Sequence, residues 1–373
     1  MTSFRIARRR MLGFCLLSAV LFLVAPTTGA GTGGPSPNDA KIAKTVAEFL
    51  QEGHVAKFKL DDEISRRMFR TFLMERMGGL DPTRVYFEQS DIDEFKKHET
   101  TLDDEILKGD VAFAYQVLDR FRQRLKDRFA LVEEFVHAEH DFTVDEFIST
   151  DYDKIEFART PQEIRERWSK KIKFELLQQR LEKKPLPEAE QIEKVIRRYK
   201  NLIHAWDQTD SDELMEIYLN ALATSFDPHS SYMSPSTMED FRISMSLHLD
   251  GIGAKLRSED GYTIVAEVLP GGAADQDGRL QVDDKITGVA ADGETIIDVV
   301  GMKLKDVVKK IRGKRGTPVV LRVIPGGKME SVEYNLRRAK IELKSQEAWG
   351  QIIEQGQRPD GKPFRVGYIN LPS

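Results

Sequence analysis

The sequence predicts an α+β protein in two parts, an all-helical N-terminal domain followed by a small domain of strands and short helices. Three observations carry this expectation. From about residue 39 to 233, apolar residues recur at helical spacing. After about Phe241, glycines become frequent and β-branched residues cluster. A chain of 373 residues also has room for two or three domains, at roughly 100–200 residues each.

The first residues read as an export signal rather than as part of a core. Arg5, Arg8, Arg9 and Arg10 form a basic region, and residues 11–24 form an apolar run of 14 residues. Pro26 breaks the run, and Thr28-Gly29-Ala30 supplies the small residues a signal peptidase requires. The alternative is a membrane anchor, but spanning takes about 20 apolar residues. A signal peptide over residues 1–30, cleaved near Ala30, is therefore expected, with a loose twin-arginine match at Arg8-Arg9. Phe14 is too large for a lipoprotein-type site before Cys15, the only cysteine. Cleavage leaves no disulfide, thiol nucleophile or thiolate metal site. It also leaves 52 basic against 61 acidic residues, a formal charge of −9 in place of −5. An acidic chain of this kind lacks the dense basic surface that sequence-independent nucleic-acid binding needs.

Residues 31–38 form a linker by composition, and residues 39–240 the helical domain. Ile42, Val46, Phe49 and Leu50 mark one helical face. A second helix is expected over 62–77, ended by Gly78-Gly79, with a turn at Asp81-Pro82. Ser90 is the expected N-cap of the next helix, whose first turn is acidic. Further helices are expected over 111–138, 165–181, 189–206 and 211–224. In the second domain, residues 241–336, strands are expected over 244–249, 262–269, 319–324 and 330–336, with a short helix over 304–312. Pro325-Gly326-Gly327 is a turn.

The sharpest local signal is Leu249-Asp250-Gly251-Ile252-Gly253-Ala254. Such a loop entering a strand can aim several backbone N–H groups one way, a nest for an anion such as a peptide's terminal carboxylate. A tight turn between strands is the other reading. Further along stand Val268-Leu269-Pro270-Gly271-Gly272-Ala273-Ala274, then Gly278, Leu280, Val282-Asp283-Asp284-Lys285-Ile286, a helix through Val307, Val308 and Ile311, and the strand over 319–323. In this order the segments closely resemble a bacterial PDZ domain. Ala273-Ala274 and Asp283 depart mildly from the family pattern, which favours proline and glycine there.

That resemblance implies an extended peptide added as a strand beside the helix. It places the carboxylate on the backbone of Gly251, Ile252 and Gly253, with Ile252, Ala254, Val308 and Ile311 lining an apolar pocket. Core packing is the alternative role of Val308 and Ile311. Replacing Gly253 by a β-branched residue is expected to abolish binding without unfolding the domain.

The likeness extends further. Asp227-Pro228-His229-Ser230-Ser231-Tyr232-Met233-Ser234-Pro235, with Leu80-Asp81-Pro82-Thr83-Arg84 and the segment 168–181, resembles the C-terminal processing, or tail-specific, serine proteases of the periplasmic type. The resemblance implies an endopeptidase that cuts exported proteins near apolar C-terminal tails, with a serine activated by a lysine, no cofactor, and a lipoprotein adaptor as an optional partner. The dyad is expected beyond Ser373, so residues 337–373 read as a linker and the first strand of a truncated protease core, unpaired and with its apolar side chains exposed. Ser373 is not assigned as the nucleophile. The chain alone is expected to be inactive, and a periplasmic location follows, attached to the inner membrane if the signal is retained. The rival is a stand-alone exported binding or adaptor protein without catalysis.

Two other clusters carry residue types found in catalytic or metal sites. Asp227, His229 and Ser230 supply triad residue types, but within four positions, where local turn chemistry explains them better. His137 and His140 stand at i, i+3 on an acidic helix end and read as a solvated face, so no metal site is expected. Neither a phosphate loop nor a dinucleotide fingerprint occurs.

Overall fold

The computed structural model describes residues 34–76, 78–291, 293–343 and 347–372. The expected signal peptide, Cys15 and Ser373 lie outside the described residues. Among those described, no helix is long and apolar enough to cross a membrane.

Helix α1 (Pro37–Gly53) begins at Ser36, whose hydroxyl accepts from the Asp39 N–H while the Asp39 carboxylate accepts from the Ser36 N–H. Helix α2 (Asp62–Met74) is capped by Asp61 and buries Ile64, Met68, Phe69, Phe72 and Leu73, the face its spacing predicted. Asp81 then organises the following turn. Its fully buried carboxylate accepts from the N–H groups of Val85, Tyr86 and Phe87 at 3.2, 2.8 and 2.9 Å.

Helix α3 (Gln89–Phe95) starts earlier than Ser90. The Asp91 carboxylate reaches back to the Glu88 N–H at 2.9 Å, which makes Glu88 the cap and draws Ser90 into the first turn. Helices α4 (Leu102–Leu107), α5 (Ala112–Val136), α6 (Pro161–Arg180), α7 (Glu188–Asp207) and α8 (Ser211–Phe226) complete the unit. One core joins α1, α2, α4, α8 and the first half of α5. A second forms where the far half of α5 meets α6 and α7 around Trp168.

Helix α9 (Pro235–Ser246) corrects the strand expected over 244–249. Ser234 caps it and Pro235 occupies its first turn, so the helical start wins over the short alternation that follows. It buries no residue, so its sequence carries no periodic face. It ends at Leu247 in the left-handed region, φ 54°, and only then does β1 (His248–Gly251) begin.

The second unit is an antiparallel sheet in the order β2-β3-β4-β6-β7, formed by β2 (Ala254–Glu259), β3 (Tyr262–Val268), β4 (Lys285–Ala291), β6 (Pro318–Ile324) and β7 (Val332–Arg337). The short β5 (Ile297–Asp298) pairs with β4, and β1 pairs with β8 (Ala339–Glu342). Helices α10 (Ala273–Asp277) and α11 (Leu304–Ile311) flank the sheet. Val265, Ile286, Val289, Val307, Val319 and Leu321 form its core.

The final strand, β10 (Phe364–Asn370), is not unpaired as expected. It forms a hairpin with β9 (Trp349–Gln355), in register from Phe364 with Gln355 to Asn370 with Trp349. Pro359-Asp360-Gly361 supplies the turn, with Gly361 at φ 79°. The apolar side chains of Phe364, Val366, Tyr368 and Ile369 are exposed, as expected.

Candidate peptide-binding groove

Strand β2 lies at one end of the sheet, bonded to β3 on a single side, and α11 packs beside it. A row of backbone groups on β2 therefore faces the helix, the arrangement into which an extended peptide can add. Period-2 alternation on β2 sets Ala254 and Leu256, both half-buried against the core, apart from the exposed Lys255 and Arg257. On α11, Leu304, Val307, Val308 and Ile311 recur at i, i+3, i+4 and i+7, one apolar face.

The loop between β1 and β2 closes this groove. The Ile252 carbonyl accepts from the Ala274 N–H and the Gly253 carbonyl from the Leu269 N–H, both at 2.8 Å. With the carbonyls so engaged, the N–H groups of Ile252 and Gly253 donate to no acceptor among the described residues. Both residues are buried. N–H groups without a protein acceptor are where an incoming carboxylate can gain charge-assisted hydrogen bonds.

Gly253 has φ 79°, and a Cβ there would stand 2.9 Å from Gly272 Cα. The backbones cross too closely for any side chain, so a β-branched residue strains the fold as well as the loop. This corrects the expectation that such a change would spare folding. The turn role and the nest role of Gly253 are carried by the same atoms.

The expected site residues divide by environment. Gly251 ends β1, Ile252 and Gly253 form the loop, and Ala254 opens β2. Ile252 and Ile311 are 2% and 3% exposed and belong to the core cluster. Val308 is half-buried on the same helix. Leu256 was missed by the sequence reading, although the alternation Ala254, Leu256 against Lys255, Arg257 was there to be read.

The other clusters take structural roles. Ser230 Oγ lies 3.3 Å from Asp227 Oδ2 and 3.0 Å from His54 Nε2. His54 Nδ1 accepts from the Ala56 N–H, so Nε2 carries the proton and donates to Ser230. A histidine held in that tautomer cannot draw the proton from the serine, and Asp227 bonds to the serine rather than to His54. His229 is 88% exposed and, beside Asp227, holds its carboxyl below the usual range. His140 lies 2.7 Å from the Phe135 carbonyl, and no metal-competent group occurs among the described residues.

The groove is tied to the helical unit at the start of α11. Lys303 and Lys305 both meet Asp210 and Glu213, at 3.2 and 2.6 Å and at 2.7 and 2.7 Å. Burial pushes both carboxyls up, but it is outweighed, for Asp210 by hydrogen bonds from Lys305 and the Glu213 N–H with the charge of Lys303, and for Glu213 by hydrogen bonds from both lysines, so both lie below the ordinary range. Gln208 Nε2 also donates to the Gly301 carbonyl at 3.1 Å.

Residues 46–236 match the tail specific protease N-terminal domain, and residues 240–324 match the PDZ domain. The chain belongs to the tail-specific protease family. It is 34% identical to the tail-specific protease of Haemophilus influenzae over 349 residues, 90% of this chain and 48% of that protein. It is 29% identical to the carboxy-terminal processing protease CtpB of Bacillus subtilis over 182 residues, 48% of this chain and 35% of that protein. A crystal structure of the PDZ domain of a Vibrio cholerae carboxy-terminal protease, in complex with peptide, is 43% identical and covers 26% of this chain and 100% of that one, with a TM-score of 0.26. The chain thus spans about half the length of its Haemophilus relative. The helical domain and the PDZ domain follow one another as the sequence predicted.

Proposed function

We propose that this chain is the substrate-reading half of a serine-type C-terminal processing endopeptidase, one that captures the apolar C-terminal tails of exported proteins. The observation that carries the proposal is the outer edge of β2 beside α11, closed by a loop whose Ile252 and Gly253 N–H groups have no acceptor among the described residues. A peptide tail entering as a strand on β2 brings its terminal carboxylate to those N–H groups. Its last side chain then meets Ile252, Ala254, Val308 and Ile311. Backbone pairing reads any extended tail, and the apolar pocket selects its end.

The chain shares its family with named proteases, and hydrolysis is assigned to a serine and a lysine outside residues 1–373. The base must be a neutral lysine, which desolvation or nearby charge provides. The helical unit serves as the frame that holds the PDZ domain, through the contact at Lys303 and Lys305. Export to the periplasm through a cleaved signal at residues 1–30, with a lipoprotein adaptor assisting, completes the reading.

The test is binding of a labelled apolar-ended peptide to the full chain, followed by fluorescence anisotropy. The free-acid peptide is expected to bind at least about tenfold more tightly than its C-terminal amide, a difference of about 1.4 kcal/mol. Equal affinities would sink the carboxylate assignment.

A further inference from the structure

Arg312 stands at the C-terminal end of α11, where its N–H caps the Val308 carbonyl. Its side chain runs beside the end of β1, since a Cβ built on Gly251 would lie 3.9 Å from Arg312 Cγ. The end of a helix carries partial negative charge and repels a carboxylate. Arg338 answers part of that charge. Its guanidinium donates to the Ile311 carbonyl at 2.8 Å and the Lys310 carbonyl at 3.1 Å. Those bonds commit Arg338 to the helix itself. A carboxylate arriving at Ile252 and Gly253 gains from a further cation, and the stem of Arg312 stands beside Gly251, the residue before them.

Arg312 is already paired. Its Nη1 donates to Asp240 Oδ1 at 2.9 Å, across 72 positions of sequence. Asp240 lies on α9, the helix between the two units, and its side chain is 68% exposed. Helix α9 buries no residue, so little packing opposes its release. An exposed pair of this kind is weak. One carboxylate can replace another on the guanidinium with little net loss, and the planar fork of arginine suits either. The remaining charge at the loop, Asp250, is exposed and stands across from Lys340 in the β1–β8 pair.

We propose that Arg312 receives the terminal carboxylate of the bound peptide, and that Asp240 occupies it as a built-in competitor until the peptide arrives. Arg312 makes the groove prefer free C-termini, because only a carboxylate can take the place of Asp240 on the guanidinium, and the competition moderates that preference. It also couples capture to α9, which loses its ion pair when a tail docks. The proposal rests on the peptide-groove reading given above.

The experiment measures affinities of one apolar-ended peptide, as free acid and as amide, for the full chain and for the variants Arg312→Gln, Asp240→Asn and the double change. The wild type is expected to prefer the acid. Arg312→Gln, which keeps the stem, is expected to weaken the acid about tenfold and leave the amide unchanged. Asp240→Asn is expected to tighten the acid about two- to fivefold, the range of an exposed ion pair. The double variant is expected to bind like Arg312→Gln alone. If the wild type prefers the acid but both single variants bind as it does, Arg312 is overturned and the groove stands. If the wild type shows no preference for the acid, both fall together. Should Arg312→Gln fold poorly, Asp240→Asn decides by itself. It alters an exposed residue on a helix without a core, and a failure to tighten the acid overturns the proposal.

Discussion

The turns of the helical unit and the peptide loop of the PDZ domain satisfy their backbone groups by different means. In the helical unit, side chains do it. Asp81 collects three N–H groups of its own turn, and Asp91, fully buried, is held by Arg120 and by Arg124. In the PDZ domain, Asp284 and Arg338 still hold backbone groups through buried side chains, but at the peptide loop main chain meets main chain. Gly253 and Gly272 cross so closely that a Cβ on either would approach the other's Cα to 2.9 or 3.0 Å. The first unit is therefore vulnerable to changes of charge and the second to the addition of a single carbon. The difference suits their tasks. A frame can be stapled by charged side chains, whereas a site that reads a peptide's backbone must present backbone.

The largest effect is expected at Gly253. Gly253→Val forces a β-branched residue to φ 79° and moves the Gly272 backbone. Strain of this kind is of order 1–3 kcal/mol before the displacement is counted, so a loss of about 3 kcal/mol is expected by chemical denaturation. A variant as stable as the wild type would break the comparison from the PDZ side.

Asp91→Asn comes next, at about 2–3 kcal/mol, since Arg120 and Arg124 keep Glu94 and Glu88 as partial partners. Burial pushes the Asp91 carboxyl up, but hydrogen bonds from Arg124, the Glu88 N–H and Arg120 outweigh it and set it below its ordinary value. The unfolded group titrates near about 3.9, so its stabilisation is complete above about pH 5 and is lost as pH falls through the lower folded value. Thermal melts at decreasing pH should show a steeper loss for the wild type than for Asp91→Asn. Parallel curves would remove Asp91 from the account.

A smaller effect sharpens the boundary between the two units. Replacing Lys303 and Lys305 by serine is expected to cost about 1 kcal/mol or less, because the partners are partly exposed. Its signature lies elsewhere. With α11 released from Asp210 and Glu213, the connecting helix α9 should be cut faster in limited proteolysis. Unchanged cutting would mean that the lysines do not hold the units together. The smallest effect is expected for Ser234→Ala, the loss of one N-cap, at about 1 kcal/mol or less.

What the sequence made legible follows the same physics. Helices α2, α5, α6, α7 and α8 were readable because each buries an apolar face, and a buried face imposes its period on the residues. Helix α9 buries nothing, so only its Ser234-Pro235 start marked it, and the alternation after it misled. The hairpin of β9 and β10 had a plain turn signal in Pro359-Asp360-Gly361, but β9 alternates too weakly to be noticed alone. Ser90 has the residue type of a cap, but the Asp91 carboxylate, one residue on, fixes the start at Glu88. The glycine loop could be read as a turn or a nest, and Gly253 proves to be needed for the turn whichever reading holds. The Arg312–Asp240 pair joins residues 72 positions apart and left no local trace.

The most direct test of the groove is the amide signals of Ile252 and Gly253 in an NMR titration of the full chain with an apolar-ended peptide. The account predicts large downfield shifts of both signals with the free acid, as their N–H groups meet the carboxylate, and much smaller shifts with the amide. Shifts confined to other parts of the chain, or the same at these two residues for acid and amide, would contradict it.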